Sequence, residues 1–150
     1  MINLFEIGRA DAFKKRVAQI SADTAPQWGT MNAAQAMAHC AIALEAALGD
    51  TVPPRMLIGR LIGPLVARTV LSNDKPLQRN APTARQYVVS DPRDLAAERD
   101  RLCTLIDRFA QAGPRGCTTK PHTFFGRLTP ERWAILMDKH LDHHLRQFGV

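Results

Sequence analysis

Thr129-Pro130-Glu131-Arg132-Trp133-Ala134-Ile135-Leu136-Met137-Asp138-Lys139-His140-Leu141-Asp142-His143-His144-Leu145-Arg146-Gln147-Phe148-Gly149 reads as one amphipathic helix with both ends marked. Thr129 offers a hydroxyl cap, and Pro130 suits a first turn whose N–H has no partner. Glu131 sits at the positive end of the helix dipole. The helix runs to Gln147 or Phe148, and Gly149 terminates it. At about 100° per residue, Trp133, Met137, His140, Leu141, His144 and Phe148 share one stripe, so His140 and His144 point into the core. Their spacing stacks them on one face, within reach of one ion. His143 falls on the flank of the stripe, and Lys139, Asp142 and Arg146 fall toward solvent.

Two inward imidazoles need two sets of polar partners or one shared metal. A third ligand must come from elsewhere in the chain. The segment from about Asn32 to Leu48 predicts a helix whose only charged residue is Glu45, started by Thr30 or Asn32 and ended by Gly49-Asp50. A helix apolar nearly all round is a central one. His39 sits midway along it among Ala36, Ala38, Ile42 and Ala43, small neighbours that leave it space but offer no hydrogen bond. Either His39 joins His140 and His144, or it bonds a backbone carbonyl or a buried water. His122, in a connecting segment, is a weaker candidate.

The remaining chain supports an all-α fold. It has 150 residues, which suits one domain over 1–150, with 45% hydrophobic and only 6% aromatic residues. Abundant Ala and Leu favour helices. A short helix is predicted over Arg9 to Ile20, with Phe13, Val17 and Ile20 on one face. Arg55 to Leu71 has helical character interrupted by Gly59, Gly63 and Pro64. Ser72 to Ser90 reads as a long loop. Asp91-Pro92 opens a helix that runs to about Ala112, with Pro92 in its first turn, and Gly113-Pro114 stops it.

The net charge is +6, but the basic residues are scattered and are not interleaved with aromatics. That disfavours nucleic acid as a partner and fits a cationic surface able to draw in an anionic small molecule. Arg55, Arg60 and Arg68 against Met56, Leu57, Ile58, Leu61, Ile62 and Leu65 suit either a packed cover over the bundle or a membrane surface. Glycine and proline there favour the cover, so no membrane partner is expected. Cys40, Cys103 and Cys117 make an odd count without CxxC spacing, which argues against a disulfide framework. No signal-peptide pattern is visible at the N-terminus and no apolar run approaches a membrane span, so a cytoplasmic location is expected.

Three neutral imidazoles suit a divalent ion such as Zn, Ni, Fe or Mn and leave coordination positions open. Cys40, beside His39, points about 100° away from it and is expected to pack in the core. Asp138, Asp142 and Glu45 are the carboxylates available as general bases.

Two stretches carry a family resemblance. Trp28-Gly29-Thr30-Met31-Asn32-Ala33-Ala34-Gln35 with Met37-Ala38-His39-Cys40 resembles the second-helix motif of the DinB-like (YfiT-like) metal-dependent superfamily. Phe124-Phe125-Gly126-Arg127-Leu128-Thr129-Pro130-Glu131-Arg132-Trp133, followed by Lys139 to Phe148, resembles its uncharacterised domain-of-unknown-function 1569 branch. Gly59 to Leu65 and Asp74-Lys75-Pro76 resemble the same branch. The resemblance implies a four-helix bundle with a long crossover between the second and third helices, here Gly49 to Ser90. It implies metal ligation by His39, His140 and His144, with His143 the alternative ligand on the last helix. Arg146 resembles the arginine that follows the superfamily's second histidine on that helix. Characterised relatives transfer low-molecular-weight thiols or isomerise thiol adducts, and many are homodimers. The expected function is therefore a metal-dependent transferase or hydrolase activating a thiol or water. The alternative is a non-catalytic or vestigial bundle acting as a binding or stress-associated protein.

Overall fold

A computed structural model describes every residue, Met1–Val150. It is all-helical. Five α-helices are formed: α1 (Arg9–Val17), α2 (Ala33–Leu48), α3 (Leu57–Val70), α4 (Leu95–Gly116) and α5 (Pro130–Gln147), with a 3-10 turn at Arg85–Tyr87. The sole β pairing is an isolated bridge between His122 and Gly126.

The caps explain where these helices begin. Asn32 and Gln35 form a reciprocal capping box, each side chain accepting the other's backbone N–H at 2.9 and 3.0 Å. This resolves the start of α2 in favour of Asn32. The Thr129 hydroxyl accepts the Arg132 N–H, as expected for α5. At α4 the cap is Asp94, which accepts the Ala97 N–H at 2.7 Å, so the helix starts beyond Pro92. A carboxylate on orphan N–H groups outweighs the pre-set φ of a proline two residues earlier. The far end of α4 kinks at Gly113 (φ 59°, ψ −157°), and one further turn carries Pro114.

α2 packs on α4 and α5, α1 packs on α4 and α5, and α4 meets α5. The alanines of α2 (Ala36, Ala41, Ala47 and others) are fully buried and let the neighbouring backbones approach closely. Phe13, Val17 and Ile20 close the core on one side, while Leu102, Ile106 and Phe109 close it on another. Two ion pairs tie α1 to α5: Arg9 holds both Asp138 carboxylate oxygens through Nε and Nη2, and Arg16 donates to Asp142 at 2.9 Å.

No helix runs alongside α3, which meets the bundle only at its C-terminal end, where Ala67 joins the core and the Lys139 ammonium reaches the Val70 carbonyl. Its inner face is Gly59, Gly63 and Ala67; the two glycines lie against the turn at Phe124 and Phe125. A Cβ at Gly59 would lie 2.6 Å from the Phe124 carbonyl oxygen, and one at Gly63 would collide with the same oxygen. The glycines that look like interruptions in the sequence are thus the contact itself. The apolar side of α3 faces outward, which corrects the expectation of a packed cover. The chain between α3 and α4 returns across α2 and buries Tyr87 and Val89.

Candidate metal centre

α2 and α5 lie side by side and bring three imidazoles together. His39, His140 and His144 form a near-equilateral triangle, with ring centroids 4.9, 4.7 and 4.7 Å apart. One ring nitrogen from each lies within 4.8 Å of the other two. His39 and His144 are 5% and 7% exposed, and His140 is half-buried.

Polar contacts orient two of the three rings. His39 Nδ1 donates to the Tyr87 carbonyl oxygen at 2.7 Å, because a carbonyl can only accept. That leaves the Nε2 lone pair of neutral His39 facing the cluster. His144 Nδ1 lies 2.8 Å from Gln147 Oε1. Gln147 Nε2 donates to the Trp28 carbonyl at 2.6 Å, which turns the amide oxygen toward the histidine. His144 therefore also presents Nε2. Such outer contacts fix the tautomer and orientation of metal-binding histidines.

Burial lowers the pKa of all three rings. For His39, desolvation outweighs the opposing Tyr87 carbonyl. His140 falls well below the ordinary imidazole value through burial and then through His144 and His39. His144 falls to about 3, again through burial first and His39 second. All three are neutral at pH 7, the form that ligates metal.

The donor set and its spacing fit a divalent ion. Two imidazole nitrogens on a tetrahedral ion lie about 3.4 Å apart, given bonds of about 2.0–2.1 Å. The His39 and His140 Nε2 atoms are 3.0 Å apart. The third nitrogen, inside the 4.8 Å limit, has about 1.4 Å or less to close.

The other candidates lie outside this group. His143 packs edge-on against Trp28 and His144, with centroids 5.5 and 5.0 Å away. His122 Nδ1 accepts the N–H groups of Phe124 and Phe125 at 3.1 and 3.0 Å, and so serves the turn under α3. Cys40 is buried, and desolvation raises its thiol pKa strongly, as suits a core residue. The three carboxylates are engaged elsewhere: Glu45 by Arg101, Asp138 by Arg9, and Asp142 by Arg16 and Arg146. Lys139 is less solvent-facing than expected, since its ammonium donates to the Val70 and Lys75 carbonyls.

Sequence reasoning missed Tyr87, Gln147 and Arg79. Gln147 lies three residues beyond His144, a spacing that pairs side chains on a helix and so was discoverable. Tyr87 acts through a main-chain atom, which leaves no trace in residue type. Arg79, exposed and without a carboxylate partner, stacks 4.1 Å over Trp28, whose ring meets His143.

Residues 5–149 match the family described as "Protein of unknown function (DUF1569)". No curated protein and no solved structure matches the chain. With nearly its whole length covered by that match, the chain belongs to the DUF1569 family.

Proposed function

We propose that the protein is a metal-dependent enzyme of the DinB-like type, with His39, His140 and His144 holding one divalent ion (Zn, Ni, Fe or Mn). In this reading α1, α2, α4 and α5 are the four bundle helices, and the segment from Gly49 to Ser90 is the crossover between the second and third. The observation that carries it is the convergence of three neutral imidazoles from α2 and α5, two of them oriented by Tyr87 and Gln147. When bound, the ion would lower the pKa of a thiol or a water, the chemistry of a thiol S-transferase or a hydrolase. The chain's own residues do the rest. Tyr87 and Gln147 hold the two ligand tautomers, and the buried alanines of α2 exclude water from behind His39. Arg79, stacked on Trp28 beside His143, supplies an uncommitted guanidinium for an anionic substrate group.

One observation favours the non-catalytic reading. His140 Nε2–H can donate to His39 Nε2 across their 3.0 Å separation, which satisfies that pair without an ion. Metal analysis separates the two. Protein purified without chelators should carry one ion per chain, and the His140→Ala, His144→Ala variant none. Native protein that remains metal-free after incubation with each of the four ions defeats the enzyme reading.

A further inference from the structure

The outer face of α3 has no partner. Leu57, Leu61 and Leu65 recur every fourth residue and are 77%, 81% and 69% exposed, with Ile58 and Ile62 beside them at 50% and 43%. Singly exposed apolar residues are ordinary, but a contiguous row on one helix marks an interaction surface. The inner face is anchored, Gly59 and Gly63 on the Phe124 turn and Ala67 in the core, so rotation of the helix cannot hide the row.

Charge identifies the occupant. Between Asp50 and Asp74 there is no acidic residue, whereas Arg55, Arg60 and Arg68 are present. Arg60 and Arg68 are exposed and belong to none of the protein's ion pairs. Beyond α3, Lys75, Arg79 and Arg85 extend the basic character, with Asp74 the sole acid before Asp91. A second copy of this face would bring the arginines of both chains to one interface with no carboxylate to receive them. A peptide groove needs walls, and no neighbouring helix builds one beside this ridge. A fluid anionic surface meets both requirements: acyl chains accept a convex apolar row, and headgroups accept the guanidinium groups.

We propose that α3 docks the protein on an anionic lipid bilayer, lying in the plane of the headgroups with Leu57, Leu61 and Leu65 inserted. The helix lies on the membrane and does not cross it, since no helix of the protein is long and apolar enough to span one. The proposal is independent of the metal centre.

Vesicle co-sedimentation tests it, with phosphatidylglycerol vesicles set against phosphatidylcholine vesicles. The wild-type protein should sediment with the first and not the second, and added salt should release it. Leu61→Glu with Leu65→Glu, and separately Arg60→Gln with Arg68→Gln, should each weaken binding by about tenfold or more. All four side chains are exposed, so circular dichroism should show unchanged helicity. Wild-type protein that stays in the supernatant overturns the proposal, as does sedimentation indifferent to both variants. A wild-type dimer made monomeric by the Leu61→Glu, Leu65→Glu pair, without vesicle binding, assigns the face to a second copy. Retention on polyglutamate with vesicles ignored assigns it to an acidic protein.

Discussion

The carbonyl oxygen of Tyr87 lies 2.7 Å from Nδ1 of His39, although 48 residues separate the two in the chain. A main-chain atom of the segment between α3 and α4 thereby sets which nitrogen His39 turns toward α5. Gln147 does the same for His144, but with a side chain. The two histidines are oriented by unlike means, and substitution can reach only one of them directly.

Gln147→Ala should therefore weaken metal binding by roughly 10- to 100-fold while the three histidines remain in place. A competitive titration against a chromogenic chelator measures this. Thermal unfolding of the metal-free forms should be followed in parallel, because Gln147 also ties α5 to Trp28. Unchanged affinity would show that Gln147 serves only that tie.

His122 predicts a pH dependence. Burial, and secondarily Arg55, lowers its pKa to about 4 from an ordinary 6.5. The folded state keeps it neutral while the unfolded chain takes up a proton. Its contribution to stability is thus complete above pH 6.5 and is lost as pH falls from 6.5 toward 4, by on the order of 2–3 kcal/mol. His122→Asn retains an acceptor for the Phe124 and Phe125 N–H groups without titrating. Urea unfolding at pH 7 and pH 5 should show a smaller loss for this variant than for wild type.

Gly63→Ala places a methyl group against the Phe124 carbonyl. The expected cost is about 1–3 kcal/mol, the usual range for overpacking. Because no helix runs alongside α3 at Gly63, the damage should be local. Hydrogen exchange should accelerate in α3 and in the turn around Phe124, while the amides of α2 keep their protection.

Cys40 should resist thiol reagents in the native protein, being buried with a strongly raised pKa. Cys103 and Cys117 are partly exposed and should react first. Labelling with an alkylating reagent followed by peptide mass analysis checks the order. Early modification of Cys40 would reopen its case as a nucleophile.

Where local chemistry decided the outcome, the sequence was readable. The Asn32–Gln35 box, the Thr129 cap and the stripe on α5 all depend on residues a few positions apart, and their helices formed as expected. The approach of His39 to His140 and His144 depends on packing between distant segments. The wheel of α2 leaves it open because that helix has no strongly polar side. The direction of α3 was not readable either. Its pattern announces an apolar row and a row of small residues, and only the position of the Phe124 turn says which row faces inward. The start of α4 was misplaced by three residues because Asp91-Pro92 and Asp94 are both start signals of the same chemistry, and the one whose carboxylate meets the Ala97 N–H is the cap.

The bond from His39 to the Tyr87 backbone bears on how this centre tolerates drift. No codon specifies a carbonyl oxygen. Position 87 can change its side chain, within what the turn and its pocket accept, and still deliver the same acceptor to the same nitrogen. Position 147 has no such latitude, since its acceptor disappears with the residue. Neutral variation should therefore accumulate unevenly around the three rings, with the side supported by main chain free to diverge and the side supported by glutamine held in place.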